Sequence, residues 1–254
     1  MLQNNISNWI KEYAEQHNRN TLVVGVSGGV DSAVVSTLCA MTGLPVYAVS
    51  MPIKQIKSQH DLSLKHGEWL TNKFSNVEHI ITELDTTYNA FKFEMQIDFN
   101  NQHAFANSKS RLRMVALHHI AGATQGLVVG TGNKVEDFGV GFYTKYGDGG
   151  VDISPIADLM KSEVWQLAKD LGVLQEIIDA PPTDGLWEDG RTDTDQLQGL
   201  SYEQMEHAMI NGSASKYYDT YQKIRKSNLH KMEPIPVFKN DSTTQTPDSK
   251  SRSK

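Results

Sequence analysis

The sequence has 254 residues, of which 39% are hydrophobic and 21% charged, a composition typical of soluble globular proteins. Thirty acidic residues against 24 basic ones give a net charge of -6, which argues against a nucleic-acid partner because no broad basic surface is expected. No apolar run approaches the roughly 20 residues needed to cross a bilayer, and the first residues lack the apolar stretch of a signal peptide, so we expect a cytoplasmic protein without a membrane partner.

Short strands alternate with helical patterns along the first half of the chain. Strands are predicted at Thr21–Val26, Val46–Met51, Val77–Thr82 and Leu127–Gly130, with a fifth near Val151–Ile153. Helices are predicted at Ser32–Met41, Ser58–Phe74 and Ser108–Ala123. This alternation predicts an α/β fold, a Rossmann-like open parallel sheet of about five strands with helices on both faces. Ligands of such sheets bind beyond the carboxyl ends of the strands.

The remaining segments are less regular. Phe91–Asn107 scatters aromatic and aliphatic residues among polar ones, which fits either a face that meets another subunit or packing on its own domain. Lys161–Leu171 predicts a short helix, and Ala180–Gly199 predicts a long loop of the kind that closes over a binding site. Residues 1–238 are expected to form one domain, because residues 239–254 are too polar to offset their ordering entropy and predict a disordered tail.

Several side chains that are reactive in other proteins carry no chemistry in this pattern. Cys39, the single cysteine, excludes an internal disulfide and is expected to be buried in the first helix after the opening strand. His60 and His66 are expected to be exposed or to cap a helix.

The stretch "VVGVSGGVDSAVV", Val23–Val35, leads from a strand through two glycines into a helix. Glycines let the backbone adopt positive φ angles and approach a ligand, and the N–H groups and dipole of the helix N-terminus favour an anion such as phosphate. Ser27 and Ser32 offer hydroxyl donors. Asp31 would repel phosphate unless a cation lay between them, and Mg²⁺ binds carboxylates and phosphates together. The turn therefore predicts a magnesium-bound polyphosphate; the alternative is a simple helix cap.

The motifs of two other nucleotide-binding classes are missing. The sequence contains no GxxxxGK[ST], so a kinase-type P-loop is excluded, and "GVSGGVDS" lacks the GxGxxG spacing of dehydrogenases. The segment "GTGNKVED" ends a strand at glycines, so Thr131 can approach a nucleotide and Glu136 can face Asp31 across the strand ends. Two carboxylates and a triphosphate would form a magnesium site.

Three later groups of residues suggest an anionic substrate and an amine. "KYGDGG" places Lys145, a cation for an anionic substrate, near Asp148, a carboxylate that can hold ammonium and receive its proton. Lys161 opens a helix beside the same region and can neutralise phosphate charge. Arg111 and Arg113 are two residues apart on a helix and face different ways, so one is available to a ligand and the other to a structural ion pair.

Ser27–Ser32, "SGGVDS", resembles the loop of the ATP pyrophosphatases, which cleave ATP between its α and β phosphates. Four further stretches resemble the ammonia-dependent NAD synthetases in order and spacing: "NSKSRLRM" (Asn107–Met114), "VVGTGNKVED" (Val128–Asp137), "TKYGDGGVDISPIADLMKSEV" (Thr144–Val164) and "PPTDGLWEDGRTD" (Pro181–Asp193). The similarity extends from about residue 5 to residue 233.

The resemblance implies roles for individual residues. Catalytic roles fall to Asp31, Asp148 and Lys161, and the magnesium ligands are Asp31 and Glu136. The implied ATP-binding residues are Gly25, Val26, Ser27, Gly28, Gly29, Val30, Asp31, Ser32, Thr131, Lys161 and Thr183. The implied binding residues for deamido-NAD, the acceptor dinucleotide, are Arg111, Lys145, Asp152, His230 and Lys231.

The resemblance also implies the reaction and the assembly. The family adenylates the pyridine carboxylate of deamido-NAD with ATP and Mg²⁺, and ammonia then displaces AMP to give NAD. A glutamine-using relative would need an amidase domain with a nucleophilic cysteine, so free ammonia is the expected donor, and the dimeric family predicts a homodimer. Two alternatives are another ATP pyrophosphatase, which would amidate or thiolate a different acceptor such as tRNA, and a non-catalytic nucleotide-binding homologue.

Three positions differ from the family pattern. Thr194 replaces a common glutamate in the long loop, where Asp193 or Asp195 could compensate. The interval from Glu136 to Lys145 is one residue longer than in many relatives, and Met232 replaces a frequent basic residue after His230 and Lys231.

Overall fold

A four-stranded parallel sheet forms the centre of the protein in a computed structural model that describes residues 1–240. Its strands are β1 (Thr21–Gly25), β2 (Val46–Ser50), β3 (Val77–Ile81) and β4 (Gly126–Val128). The spatial order is β3-β2-β1-β4, and Val23 of β1 pairs with Tyr47 of β2 on one side and Val128 of β4 on the other. The predicted α/β fold with an open parallel sheet is confirmed.

Helices connect the strands and extend the chain beyond the sheet. They are α1 (Leu2–Gln16), α2 (Val30–Met41), α3 (Lys57–Lys73), α4 (Asp85–Met95), α5 (Gln102–Ala123), α6 (Lys161–Leu171), α7 (Gln175–Ile178), α8 (Asp193–Gln196), α9 (Tyr202–Asn211) and α10 (Tyr218–Met232). A π-helix covers Val135–Val140, and one 3₁₀ turn covers Gly212–Ala214. No helix in the described part of the chain is long and apolar enough to span a membrane.

The helices cover both faces of the sheet because alternate strand residues point to opposite sides. Leu22 and Val24 of β1 pack with α1, α2 and α6, whereas Val23 packs with Met114 and Leu117 of α5 on the other face. Each such aliphatic side chain contributes about 1.5–3 kcal/mol when fully buried. A second cluster joins the π-helix to α9 and α10. It fixes the segment after β4 against the carboxyl-terminal part of the chain.

Two predicted boundaries differ from the structure. The fifth strand is reduced to a single bridge between Val129 and Ile153. The irregular segment 91–107 contains the end of α4 and the start of α5, where Tyr88 and Phe105 are buried with Ile53. The spacing of apolar residues did not predict these helices, because many of the apolar residues in the segment are exposed. The predicted disordered tail lies outside the described residues except for its first two positions.

The expectation for His66 was wrong. Its side chain is fully buried, and Nε2 lies 2.9 Å from Ser36 Oγ on α2. A histidine on a mostly polar helix gave no signal of this contact, since Ser36 is distant in sequence. Cys39 is buried as predicted.

Candidate active site

A cleft of about 810 Å³ opens at the carboxyl ends of β1 and β4. The chain runs from β1 outward to β2 and β3 and then returns to place β4 on the other side of β1. This reversal is the topological switch point, where open parallel sheets bind ligands. The cleft walls come from the glycine-rich turn, the segment after β4, α5, the loop before α8 and the end of α10.

The glycine-rich turn is fixed by its own serines and by one glycine. Gly28 has φ of +91°, and a Cβ there would lie 2.6 Å from the carbonyl oxygen of Gln59. Gly29 has φ of -88° and precedes α2, so only the first of the two glycines uses the left-handed region. The Ser32 hydroxyl donates to the Gly29 carbonyl oxygen (2.9 Å), and the Ser27 amide donates to Ser32 Oγ (3.2 Å). The serines therefore shape the turn.

Asp31 and Glu136 come together at one lysine. Lys161 Nζ lies 2.5 Å from Asp31 Oδ2 and 3.0 Å from Glu136 Oε1. Asp31 sits in the first turn of α2, Glu136 in the π-helix after β4, and Lys161 at the first turn of α6, so three separate elements supply the cluster. The two acids predicted to face one another across the strand ends do so.

The environment keeps Lys161 charged. The residue is 2% exposed. Burial alone would lower the pKa of its ammonium group, but the carboxylates of Asp31 and Glu136 outweigh burial and raise the pKa above its usual value. Removal of Lys161 would leave both carboxylates without their cation, and loss of one partner of a buried ion pair typically costs about 3–5 kcal/mol. The cluster is therefore a fixed set of charges that faces the cleft.

Asn133 was not predicted and holds two parts of the cluster together. It is fully buried, and its Nδ2 donates to Asp31 Oδ1 (3.0 Å). Its Oδ1 accepts from the backbone amides of Val135 and Glu136, both at 3.1 Å. The amide side chain thus orients Asp31 and caps the start of the π-helix. Its position between Thr131 and Glu136 in "GTGNKVED" was the available signal.

All of the predicted ATP-binding residues line the cleft. They are Gly25, Val26, Ser27, Gly28, Gly29, Val30, Asp31, Ser32, Thr131, Lys161 and Thr183. Thr183 lies in the loop before α8, and its hydroxyl donates to the carbonyl oxygen of Arg191 (3.1 Å).

Several basic side chains border another part of the cleft. Arg111, Lys145, His230 and Lys231 all line it. Arg111 Nε donates to the Lys145 carbonyl oxygen (3.2 Å), and Lys145 Nζ donates to the His230 carbonyl oxygen (3.1 Å). These backbone bonds join α5, the segment after the π-helix and the end of α10. They leave cationic side chains beside a cavity large enough for an anionic ligand.

Two predicted residues have other environments. Asp152 is not part of the cleft lining; its Oδ2 accepts from the Val128 amide (2.7 Å) and stabilises the end of β4. Arg113 is partly buried and lines the cleft, and its Nε donates to the Met51 carbonyl oxygen (3.0 Å), so a backbone hydrogen bond takes the place of the expected ion pair. Arg111 and Arg113 line the same cleft but donate to different backbone carbonyl groups.

Asp148 and Asp137 also line the cleft. Asp148 Oδ1 accepts from Ser110 Oγ (2.7 Å) and from the Thr144 amide (3.0 Å), and burial raises the pKa of its carboxyl group. Burial, followed by the charges of nearby acids, raises the pKa of Asp137 to about 8. Asp137 was missed because it reads as an ordinary surface acid after Glu136. A smaller cavity of about 120 Å³ is lined by both acids.

The predicted long loop covers one side of the cleft and contains α8. Lys109 of α5 is 3% exposed, and its Nζ donates to the Leu186 carbonyl oxygen (3.0 Å). Asp193 is 5% exposed and lines the cleft, whereas Asp195 accepts from the Thr192 amide and caps α8. Of the two acids that could compensate for Thr194, Asp193 is therefore the one at the cleft.

A glycine turn followed by a helix N-terminus at the switch point of a parallel sheet defines an α/β nucleotide-binding protein. Comparison with known proteins narrows this class. Residues 2–237 match the family described as NAD synthase, and the chain belongs to this family.

Individual relatives agree with the family. The chain is 36% identical over 228 residues to the NH(3)-dependent NAD(+) synthetase of Carboxydothermus hydrogenoformans, a match that covers 88% of this chain and 91% of the relative. Among solved structures, NMN synthetase from Francisella tularensis has a TM-score of 0.84 at 31% identity and covers 93% of this chain and 96% of its own. The NH3-dependent NAD synthetase from Campylobacter jejuni has a TM-score of 0.73 at 26% identity, with 94% and 97% covered.

Proposed function

We propose that the protein is an ammonia-dependent NAD synthetase, a ligase that amidates deamido-NAD at the expense of ATP. Its family membership and the NH(3)-dependent NAD(+) synthetases among its relatives support this activity. The observation that carries the proposal is the convergence of Asp31, Glu136 and Lys161 beside the glycine turn at the switch point.

The proposed reaction has two balanced steps. A carboxylate oxygen of the pyridine ring attacks the α-phosphorus of ATP, a P–O bond to the β-phosphate breaks, and pyrophosphate leaves. Ammonia then attacks the acyl carbon, the bond to AMP breaks, and a proton is released as the amide forms. Adenylation is needed because a free carboxylate would have to expel oxide. The protein supplies positioning and charge neutralisation rather than a covalent nucleophile.

The donor chemistry of the cluster fits Mg²⁺. Asp31 and Glu136 reach a single cation, the ammonium of Lys161, and carboxylate oxygens are the ligands that Mg²⁺ prefers. Among residues 1–240 no group of three or more His, Cys, Asp or Glu side chains forms a metal site, so phosphate oxygens of ATP would complete the coordination. When bound, Mg²⁺ would neutralise the triphosphate beside the acids. Lys161 would supply a second positive charge for the pyrophosphate that leaves.

The remaining predicted residues would bind the nucleotide, the acceptor or ammonia. The amides of the glycine turn and Thr131 would hold the nucleotide, and Thr183 would contact it from the loop. Arg111 and Lys145, with His230 and Lys231 nearby, offer cations to the acceptor's phosphates, and Asp152 would act only if the acceptor extended beyond the cleft lining. Asp148 would hold ammonium, because its carboxylate lines the cleft and a carboxylate attracts a cationic partner. We also propose a cytoplasmic enzyme that uses free ammonia.

A mononucleotide acceptor is the second candidate. NMN synthetase from F. tularensis shares the fold at a TM-score of 0.84, against 0.73 for the C. jejuni NAD synthetase. Both acceptors would present the same pyridine carboxylate and a phosphate to the cleft. They differ in the adenylate half, which a mononucleotide lacks.

A turnover assay with two acceptors tests both candidates. Purified protein is incubated with ATP, Mg²⁺, ammonium and either deamido-NAD or nicotinic acid mononucleotide, and NAD, NMN, AMP and pyrophosphate are quantified. The first proposal predicts a higher kcat/KM with deamido-NAD. A higher kcat/KM with the mononucleotide would select the second candidate, and binding of ATP without amidation of either acceptor would contradict both.

A further inference from the structure

Tyr202, the first residue of α9, contacts the charged cluster without lining the cleft. Its side chain is buried, and its oxygen lies 2.5 Å from Glu136 Oε1 and 2.7 Å from Asp193 Oδ2. The ring also lies beneath Lys161, with Nζ 4.5 Å from the ring centroid. Tyr202 is absent from the residues that line the cleft. It therefore contacts the charged cluster from outside the cleft.

The three oxygen atoms can be joined only if one carboxyl group is protonated. A phenol carries one hydrogen, so Tyr202 can donate to Glu136 or to Asp193 but not to both. Glu136 also contacts the ammonium of Lys161 at 3.0 Å. Asp193 has no such cation in contact, and its Oδ1 is buried without a hydrogen-bond partner among the described residues.

These contacts determine which group donates and which accepts in each hydrogen bond. Burial, and then the charge of Glu136, raise the pKa of Asp193 to about 7, so its neutral form is accessible. A neutral Asp193 donates to the Tyr202 oxygen, and Tyr202 then donates to the Glu136 carboxylate. The resulting chain connects the start of α8 to the acid that would bind Mg²⁺.

We propose that Tyr202 is a positioning residue that holds Glu136 opposite Asp31, with Asp193 fixing the direction in which the Tyr202 hydroxyl points. The proposal rests on the proposed function, because Glu136 matters as a ligand only where Mg²⁺ and a triphosphate bind. It predicts that the hydroxyl supports magnesium-dependent ATP binding and contributes nothing to contacts with the nucleotide itself. A role in packing alone would require only the ring.

Tyr202→Phe separates these two roles, since it keeps the ring on Lys161 and Trp165 and removes only the hydroxyl. The matched control is Tyr218→Phe, which removes a hydroxyl from the same apolar cluster at a residue that does not line the cleft. Asp193→Ala removes the carboxyl group, and Asp193→Asn restores a neutral side chain whose amide can donate to Tyr202. Thermal unfolding of each variant identifies those that retain the fold.

The measurement is ATP affinity by titration calorimetry at increasing Mg²⁺, without acceptor or ammonium. In the wild type, ATP affinity should increase as Mg²⁺ is added, and the Mg²⁺ concentration at half of this increase is the quantity compared. Tyr202→Phe should raise this concentration by roughly tenfold or more, because loss of a residue that hydrogen-bonds a metal ligand commonly weakens metal binding by that amount. Its affinity for ATP without Mg²⁺ should stay within about twofold of the wild type, and Tyr218→Phe should match the wild type throughout. Asp193→Asn should recover most of the shift caused by Asp193→Ala.

Two results would overturn the proposal. An unchanged Mg²⁺ dependence in Tyr202→Phe would remove the positioning role, and an equal loss of ATP affinity with and without Mg²⁺ would assign the residue to packing. If Asp193→Asn were as impaired as Asp193→Ala, the direction of the hydrogen bonds would be wrong. Failure of the proposed function would give a different result. The wild-type protein would then bind ATP more tightly with Mg²⁺ but would amidate neither acceptor.

Discussion

Asp31 is the residue on which the proposed chemistry of the cleft depends most. We expect Asp31→Asn to lower turnover by roughly 100-fold or more, because the amide keeps the shape but loses the charge that holds a cation near the phosphates. Turnover at saturating ATP and Mg²⁺ is the measurement. Asp158→Asn is the control, since it removes the same charge at a side chain that is 95% exposed and pairs with Lys134. Activity of Asp31→Asn within about twofold of the wild type would remove the proposed role.

His66 gives a prediction about stability and pH. Burial lowers the pKa of its imidazole from 6.5 to about 4, so the unfolded chain takes up a proton that the folded protein refuses. The free energy of unfolding therefore falls as pH decreases through this window, and full stability is present only above about pH 6.5. Between about pH 7.5 and pH 5, His66 should account for a loss of roughly 2 kcal/mol.

Urea unfolding of the wild type and of His66→Gln at both pH values measures this effect. The variant is less stable at neutral pH because it disturbs the contact with Ser36, but its stability should depend less on pH. His17→Gln, at an exposed histidine on α1, is the control. Equal pH dependence in the wild type and His66→Gln would contradict the prediction.

At the residue scale, sequence reasoning located the groups that share a motif and missed those that act across motifs. Asp31, Glu136 and Lys161 were found because phosphate, carboxylate and lysine form a chemically sensible set at strand ends. Tyr202 was not found, since nothing in "SYEQ" indicates that its hydroxyl reaches Glu136, 66 positions earlier in the chain. The same applies to the buried contact of His66 with Ser36. Such contacts are set by the packing of helices and carry no local signal.

The glycine turn is the element on which the site depends. Gly28→Ala should destabilise the protein by about 1–3 kcal/mol, because φ of +91° is strained for alanine and the new methyl group would approach the Gln59 carbonyl oxygen. Gly29→Ala should cost less stability, since its φ of -88° suits any residue and its nearest neighbour, Ser27 Oγ, is 3.4 Å away. Urea unfolding of the ligand-free variants compares them. Equal losses at both positions would show that the turn does not require its first glycine.

The π-helix offers a structural place for the additional residue that the family resemblance implies between Glu136 and Lys145. A π-helix closes its turns over five residues instead of four, so Val135–Val140 accommodates one additional position without moving Glu136 away from Lys161. The sequence predicted only a longer loop, because one inserted residue has no periodicity of its own. Helix α4 and the first turns of α5 were missed for a related reason. Their exposed apolar residues, such as Phe93, obscure the helical period.

For the molecule as a whole, several exposed apolar residues predict a homodimer. Phe93, Ile97, Phe99 and Val115 are between 63% and 71% exposed and lie on α4, α5 and the segment between them. We expect a C2 dimer at micromolar concentration because exposed patches of this kind typically mark interfaces. Phe93→Glu with Phe99→Glu should shift the protein to monomer in sedimentation velocity experiments. Ile210→Glu, at an equally exposed residue on α9, should leave the dimer intact, and a monomeric wild type would contradict the prediction.

The order of the strands could be predicted only in part. Alternating patterns gave a parallel sheet, and the switch point followed from the position of the glycine turn. The short β4 and the single bridge at Ile153 could not be anticipated, because an apolar pattern predicts that a stretch is buried but not how many of its residues pair with a neighbouring strand.

Transfer of AMP from ATP to the acceptor carboxylate is the step on which the proposed function depends. The most direct test uses an acceptor labelled with ¹⁸O in both carboxylate oxygens, with mass spectrometry of the AMP and pyrophosphate formed during a single turnover with ammonium. The mechanism predicts one ¹⁸O atom in each AMP and none in pyrophosphate, because one carboxylate oxygen stays on the α-phosphorus when ammonia attacks. AMP without label, or formation of ADP with label in inorganic phosphate, would contradict it.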